Sequence, residues 1–130
     1  MKKILIVAIA LLMLSACTKS TSVPKTDVGT TSSGIELVFS SHRQGNIVIY
    51  YPSIKGLADT EKQDRLNEKI LNDAKNVTAL FDDDIVFITV DYEVVARSDE
   101  KIVIEYTGHG CSTPDCDNEQ VVSCVSEVYL

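Results

Sequence analysis

Between Val86 and Ala96 the chain sets an apolar residue at every second position: Val86, Ile88, Val90, Tyr92, Val94 and Ala96. Successive side chains of a strand point to opposite faces, so this run predicts a strand with those six residues on a core. Arg97 to Glu100 reads as a turn, after which Ile102, Ile104 and Tyr106 resume the alternation. Two such runs form an antiparallel hairpin, and a hairpin with one apolar face requires another element to cover it. That requirement organises the rest of the chain.

The opposite face has its own pattern. Keeping Tyr92 and Val94 on the face of Ile104 and Tyr106 allows two registers, each with a three-residue loop holding one residue in the left-handed region. One sets Asp91 opposite Glu105, and the other sets Glu93 opposite Glu105. Acid meets acid in both, an arrangement that costs stability in water. Asp91, Glu93 and Glu105 are therefore the candidate binding residues, an acidic patch suited to a cation or a cationic partner. The alternative is a solvated face on which a bulge or strand offset separates the charges.

A helix from Asp59 or Thr60 to Asn76 is the covering element. Leu66, Ile70, Ala74 and Val77 make its apolar stripe, with Leu71 at the margin and charged residues opposite. Thr60 and Gln63 have the spacing of a capping box. Ahead of it, Ile35, Leu37 and Phe39 alternate with Glu36 and Ser40, as in a half-buried strand. Residues Ser41 to Gln44 read as a turn that Gly45-Asn46 closes. Asn46 to Tyr51 is apolar on both faces and reads as a central strand ended by Pro52. The last strand runs from about Gln120 to Leu130. The order β-β-α-β-β-β predicts an α+β domain, one helix packed on a mostly antiparallel sheet of about five strands.

The first residues are of another kind. Lys2 and Lys3 precede an apolar run of eleven residues, Ile4 to Leu14. As a helix it spans about 16 Å, half of a bilayer core of roughly 30 Å, and so reads as a signal peptide rather than a transmembrane anchor. Leu14-Ser15-Ala16-Cys17 follows and resembles the bacterial lipobox. In that family cleavage makes the Cys the mature N-terminus, its sulfur carrying diacylglycerol and its amine an acyl chain such as palmitate. The alternative is an ordinary secretory signal with a Cys at its end. The expected division is residues 1–16 as signal peptide, 17–33 as lipidated Cys17 and a Ser/Thr-rich tether, and 34–130 as the folded domain. Localisation follows: a bacterial cell membrane or outer membrane, with the domain outside the cytoplasm. Two or more acyl chains hold a protein on a membrane without any spanning helix.

Charge narrows the partners. The chain carries −7, and losing the two leader lysines deepens this to −9. No basic stripe is present to contact phosphates, so nucleic acid is not an expected partner.

Tyr51-Pro-Ser-Ile-Lys-Gly-Leu57 before a charged helix, then Asp91-Tyr92-Glu93-Val94 and Tyr106-Thr107-Gly108, resemble an uncharacterised bacterial envelope domain. That domain precedes the catalytic module of peptidoglycan deacetylases of the PdaC type and is similar to the outer part of lysozyme-sensing anti-sigma factors. The likeness covers roughly Ile47 to Gly110. It departs at Thr107-Gly108-His109-Gly110-Cys111, where the family continues Gly-Ala-His, and a short cysteine-containing tail replaces the usual downstream part. The resemblance implies a non-catalytic α+β module that contacts peptidoglycan or a basic wall-active protein such as lysozyme. It carries no catalytic residues over.

Other chemistry is poorly served. Asp82-Asp83-Asp84 lacks paired histidines, and Phe87 stands where a calcium loop starting at Asp82 needs Gly, so the aspartates read as a solvated strand start. Neither a nucleophile elbow nor a Gly-rich phosphate loop is present. No enzyme, metal or cofactor is therefore expected. Among the cysteines beyond Cys17, Cys111 and Cys116 flank the turn-like Ser-Thr-Pro-Asp and are the preferred disulfide. Cys124 then reads as a buried thiol in a Val-rich strand. The alternatives are a Cys₃His metal site from His109, Cys111, Cys116 and Cys124, an enzyme using the same segment, or a structural accessory of an envelope complex.

Overall fold

The computed structural model describes residues 34–130 and the backbone of Cys17 and Thr18. The leader and most of the tether expected from sequence lie outside the described residues. A two-residue strand β1 (Cys17–Thr18) is followed by β2 (Glu36–Gln44), β3 (Ile47–Lys55), the helix α1 (Thr60–Asn76), a 3₁₀ turn (Val77–Leu80), β4 (Phe87–Arg97), β5 (Lys101–Cys111) and β6 (Glu119–Tyr129). The sheet order is β1-β6-β5-β4-β3-β2, antiparallel everywhere except between β3 and β4. The fold is α+β, with one helix on a mostly antiparallel sheet of five long strands and a two-residue edge.

The stripe of α1 is the one read from sequence. Ile70, Ala74 and Val77 are fully buried and Leu66 packs against the core they form with Ile49, Val90 and Ile104. Its N-terminus differs. Asp59, not Thr60, is the N-cap, its side chain accepting from the Lys62 N–H at 3.0 Å. Gln63 instead reaches back to the Leu57 N–H at 3.1 Å. The Asp59 carboxylate thus satisfies a donor that the helix start leaves orphaned, while Gln63 ties down the segment ahead of it.

β2 continues through Ser41–Gln44, and the turn is Gly45-Asn46 alone, with Gly45 at φ +57°. A two-residue hairpin loop needs positive φ, which glycine supplies without a Cβ clash. Pro52 does not end β3 but is buried within it, facing Phe39 of β2. The parallel ladder between β3 and β4 stops at Ile49–Val90, so beyond it β3 has an open side where a missing N–H does no harm. Asn67 of α1 closes that side. Its Oδ1 accepts from the Ile54 N–H at 2.7 Å, and its Nδ2 donates to the Ile54 carbonyl at 3.0 Å.

The β4–β5 hairpin takes the register in which Glu93 faces Glu105; Asp91 faces Thr107. The loop Ser98–Glu100 has no residue at positive φ. A bulge between Val94 and Ala96 absorbs the mismatch, shifting Arg97 onto Ile102. The simple alternation therefore fails at both ends. Val86 precedes the strand and is 47% exposed, and Val95, between the expected core residues, is buried.

Tyr106 is fully buried and its hydroxyl donates to the Ile70 carbonyl at 3.2 Å, tying sheet to helix. Burial first, then the Asp73 carboxylate and Tyr92, pushes its phenol well above the ordinary value of 10.0. A raised native pKa gives stability that is whole below pH 10 and declines as pH rises beyond it, because the unfolded chain then releases a proton the native state keeps. Tyr106→Phe should cost about 1 kcal/mol at pH 7 and flatten this alkaline decline. Thermal melts of both proteins from pH 7 to 11 check the two parts together.

Candidate binding face

On β5 the alternate residues Ile102, Ile104, Tyr106, Gly108 and Gly110 are buried toward α1, while the residues between them are half-buried. The latter define the sheet face turned away from the helix, and no described helix covers it. Cross-strand registers arrange this face in rows. One row runs Arg43, Val48, Thr89, His109 and Val121; the next holds Asp91, Thr107 and Ser123; the third holds Glu93, Glu105 and Val125.

All three candidate acids stand here. Glu93 and Glu105 are directly opposed, Asp91 lies one step along the same face, and Asp91 and Glu93 are exposed. The bulge sits beyond Val94 and leaves this pair in register, so it does not separate the charges. Glu127 lies farther along the face beside Lys101 at 3.3 Å, and Tyr129 donates to it at 2.8 Å. The Tyr129 hydrogen bond first, then Lys101, holds the Glu127 carboxyl below its ordinary value. Replacing Glu105 by Lys turns the opposed pair into an attractive one. Glu105→Lys should stabilise the fold by about 0.5–1 kcal/mol, read as an increase in urea midpoint.

The cysteine segment is not a metal site. Cys111 and Cys116 form the expected disulfide, with Cα atoms 5.1 Å apart. The bridged loop turns through Cys116 N–H to Thr113 carbonyl at 3.1 Å, with Pro114 at the position its fixed φ favours. Cys124, 6% exposed, is disulfide-bonded as well and is not the thiol expected from sequence. The Cys₃His reading fails, because oxidised sulfurs are not thiolate ligands, and His109 Nδ1 instead lies 2.7 Å from Glu119 Oε1. Among the described residues no group of three or more His, Cys, Asp or Glu is placed to hold a metal. Asp82–Asp84 sit in the turn before β4, where the Ile85 N–H bonds the Asp82 carbonyl.

The lipidation expected at Cys17 concerns a side chain outside the described residues. The backbone of Cys17 pairs with that of Cys124 at the β6 edge. No described helix is long and apolar enough to cross a membrane.

Two features of the sheet are not evident from the sequence pattern. The first is the aromatic group at the splayed end of the sheet, where Phe39 lies 5.3 Å from Tyr50 and 6.3 Å from Tyr92 between ring centroids. Nothing local links three rings drawn from three strands. The second is the glycine pair Gly108 and Gly110, against which Phe81 packs. Here a signal existed: the alternation Ile102, Ile104, Tyr106 continues into Gly108 and Gly110, marking core positions with no side chain of their own.

Comparison of the chain with models of known protein families finds no match, and no curated protein matches it.

Proposed function

We propose that this chain is a lipid-anchored, non-catalytic binding module of a bacterial cell envelope, whose acidic sheet face engages a basic wall-active protein such as lysozyme. The observation that carries this reading is the directly opposed Glu93 and Glu105, with Asp91 beside them, on a face no described helix covers. Acid stands opposite acid on this rung, and an acidic field speeds encounter with a cationic partner. The resemblance to the envelope domain supports the same setting, with peptidoglycan as the second ligand.

The test pairs two assays. The protein should retain lysozyme at low salt and release it at high salt, and Glu105→Lys should lose retention while gaining stability. Co-sedimentation with purified peptidoglycan examines the other ligand. No retention in either assay overturns the reading.

Anchoring has a separate test. A thioether to diacylglycerol and a disulfide use the same sulfur, so the lipid-anchored form must hold Cys124, which the Cys17 backbone faces, without the disulfide that Cys124 carries in this structure. Mass spectrometry of the membrane-fraction protein should find an N-terminal Cys17 peptide carrying lipid, and Cys17→Ala should leave the membrane fraction. An unlipidated Cys17 peptide disulfide-linked to Cys124 would overturn the anchor and leave the binding face untouched.

A further inference from the structure

The outer edge of β2 is a row of backbone groups with no described strand beside it. Its nine residues, Glu36–Gln44, contain neither Pro nor Lys, and the register with β3 is unbroken by any bulge. Pro, Lys and bulges are among the devices by which edge strands are kept from pairing, and the charges this strand does carry stand toward its two ends. The orientation of its groups follows from its neighbour. Pro52 has no N–H, so Phe39 and Pro52 cannot exchange two hydrogen bonds and must be a non-hydrogen-bonded pair. The N–H and carbonyl of Phe39 therefore point to the open edge, as do those of Leu37 and Ser41 by alternation. Phe39 is 64% exposed, a large apolar side chain at the middle of that edge.

We propose that β2 is a self-pairing edge, on which a second copy of this chain adds its own β2 antiparallel to form one continuous sheet. Charge selects this occupant. The strand is bipolar, with Glu36 at its start and His42-Arg43 near its end. Antiparallel pairing of two copies brings the acidic start of each beside the basic end of the other, whereas parallel pairing sets like on like. The strand's formal charges also cancel in a chain that is strongly acidic elsewhere, so this edge approaches itself with little repulsion. A two-fold axis perpendicular to the sheet at Phe39 sets each Phe39 opposite that of the second copy, in a pair that exchanges both backbone hydrogen bonds. Glu36 then faces His42 of the second copy, and Leu37 faces its Ser41. The two rings extend the Tyr50–Phe39 contact across the junction.

The test is a cysteine scan in the full chain, in whole cells expressing it. Leu37→Cys, Phe39→Cys, Ser41→Cys and the exposed helix control Glu68→Cys are oxidised with copper phenanthroline and compared with the parent on non-reducing gels. A covalent dimer at position 39, at least fivefold above positions 37, 41 and 68, is the expected result. Adding Ser41→Pro, which removes an outward N–H and spares the ladder to β3, should abolish that product while far-UV circular dichroism stays unchanged. If that variant misfolds, Phe39→Lys serves instead, and ultracentrifugation of the parent in detergent should show a mass twice that of Phe39→Lys. Uniform yields along the scan, equal masses for parent and Phe39→Lys, or a product whose mass is not twice the chain's would each overturn self-pairing.

Discussion

Gly110→Val should cost the fold about 3 kcal/mol or more, the largest loss expected from any single substitution in the sheet. A Cβ at Gly110 would lie 2.5 Å from both Ile85 Cγ2 and Phe81 Cε1, far inside contact distance. Gly108 is nearly as tight, with Phe81 and Val122 atoms at 2.9 Å. Phe81 follows the 3₁₀ turn at Val77–Leu80 and packs over the two glycines, so it cannot withdraw without uncovering the core. Overpacking typically costs about 1–3 kcal/mol, occasionally more, and a branched side chain against two fixed neighbours belongs at the upper end. A domain of this size has only about 5–15 kcal/mol in total. Urea denaturation followed by circular dichroism reads the loss, with Gly110→Ala as a milder variant. Phe81→Leu combined with Gly110→Ala should cost less than the two single changes added together, because the smaller side chain vacates the space the new methyl takes. Additive losses would place the clash elsewhere.

Asn67→Ala should be the second most damaging change, at about 2–4 kcal/mol. The amide of Asn67 serves both backbone groups of Ile54, a residue with no exposed surface, on the side of β3 that β4 has left. Truncation orphans a buried donor and a buried acceptor together, each worth about 1–3 kcal/mol when left without a partner. Asn67→Asp separates the two. The introduced carboxylate still accepts from the Ile54 N–H but opposes the carbonyl, and protonation restores the missing donor. Relative to the parent, that variant should therefore regain stability as pH falls through the carboxyl range. Chemical denaturation at pH 7 and pH 3.5 decides it, and equal deficits at both would show that the carbonyl is satisfied otherwise.

What the sequence makes legible divides along physical lines. The stripe of α1 and the core positions of β5 are set by local periodicity, and both stand where periodicity puts them. Pro52 and Val95 depart from the sequence pattern for a shared reason. A proline ends a strand only if both sides are paired, and a bulge reveals itself only against a partner strand; each is a property of neighbours remote in sequence. The Cys111–Cys116 bridge encloses its own turn and so is readable, whereas the state of Cys124 depends on chain brought from far away. The acidic face was partly legible. Parity alone required Glu105 to meet an acid, but the choice of Glu93 over Asp91 needed the position of the bulge.

The short parallel seam between β3 and β4 bears on the order of assembly. Ile47–Ile49 and Ile88–Val90 are its only rungs. Each joins residues separated by the whole of α1, while β4–β5 and β2–β3 close over tight turns. Loop closure makes distant pairings late and local ones early. Pulsed hydrogen exchange during refolding should therefore protect the amides of β5 before those of Ile88 and Val90 that face β3. A nascent chain leaving the ribosome would reach β3 and α1 well before β4, with one side of β3 still waiting for its partner.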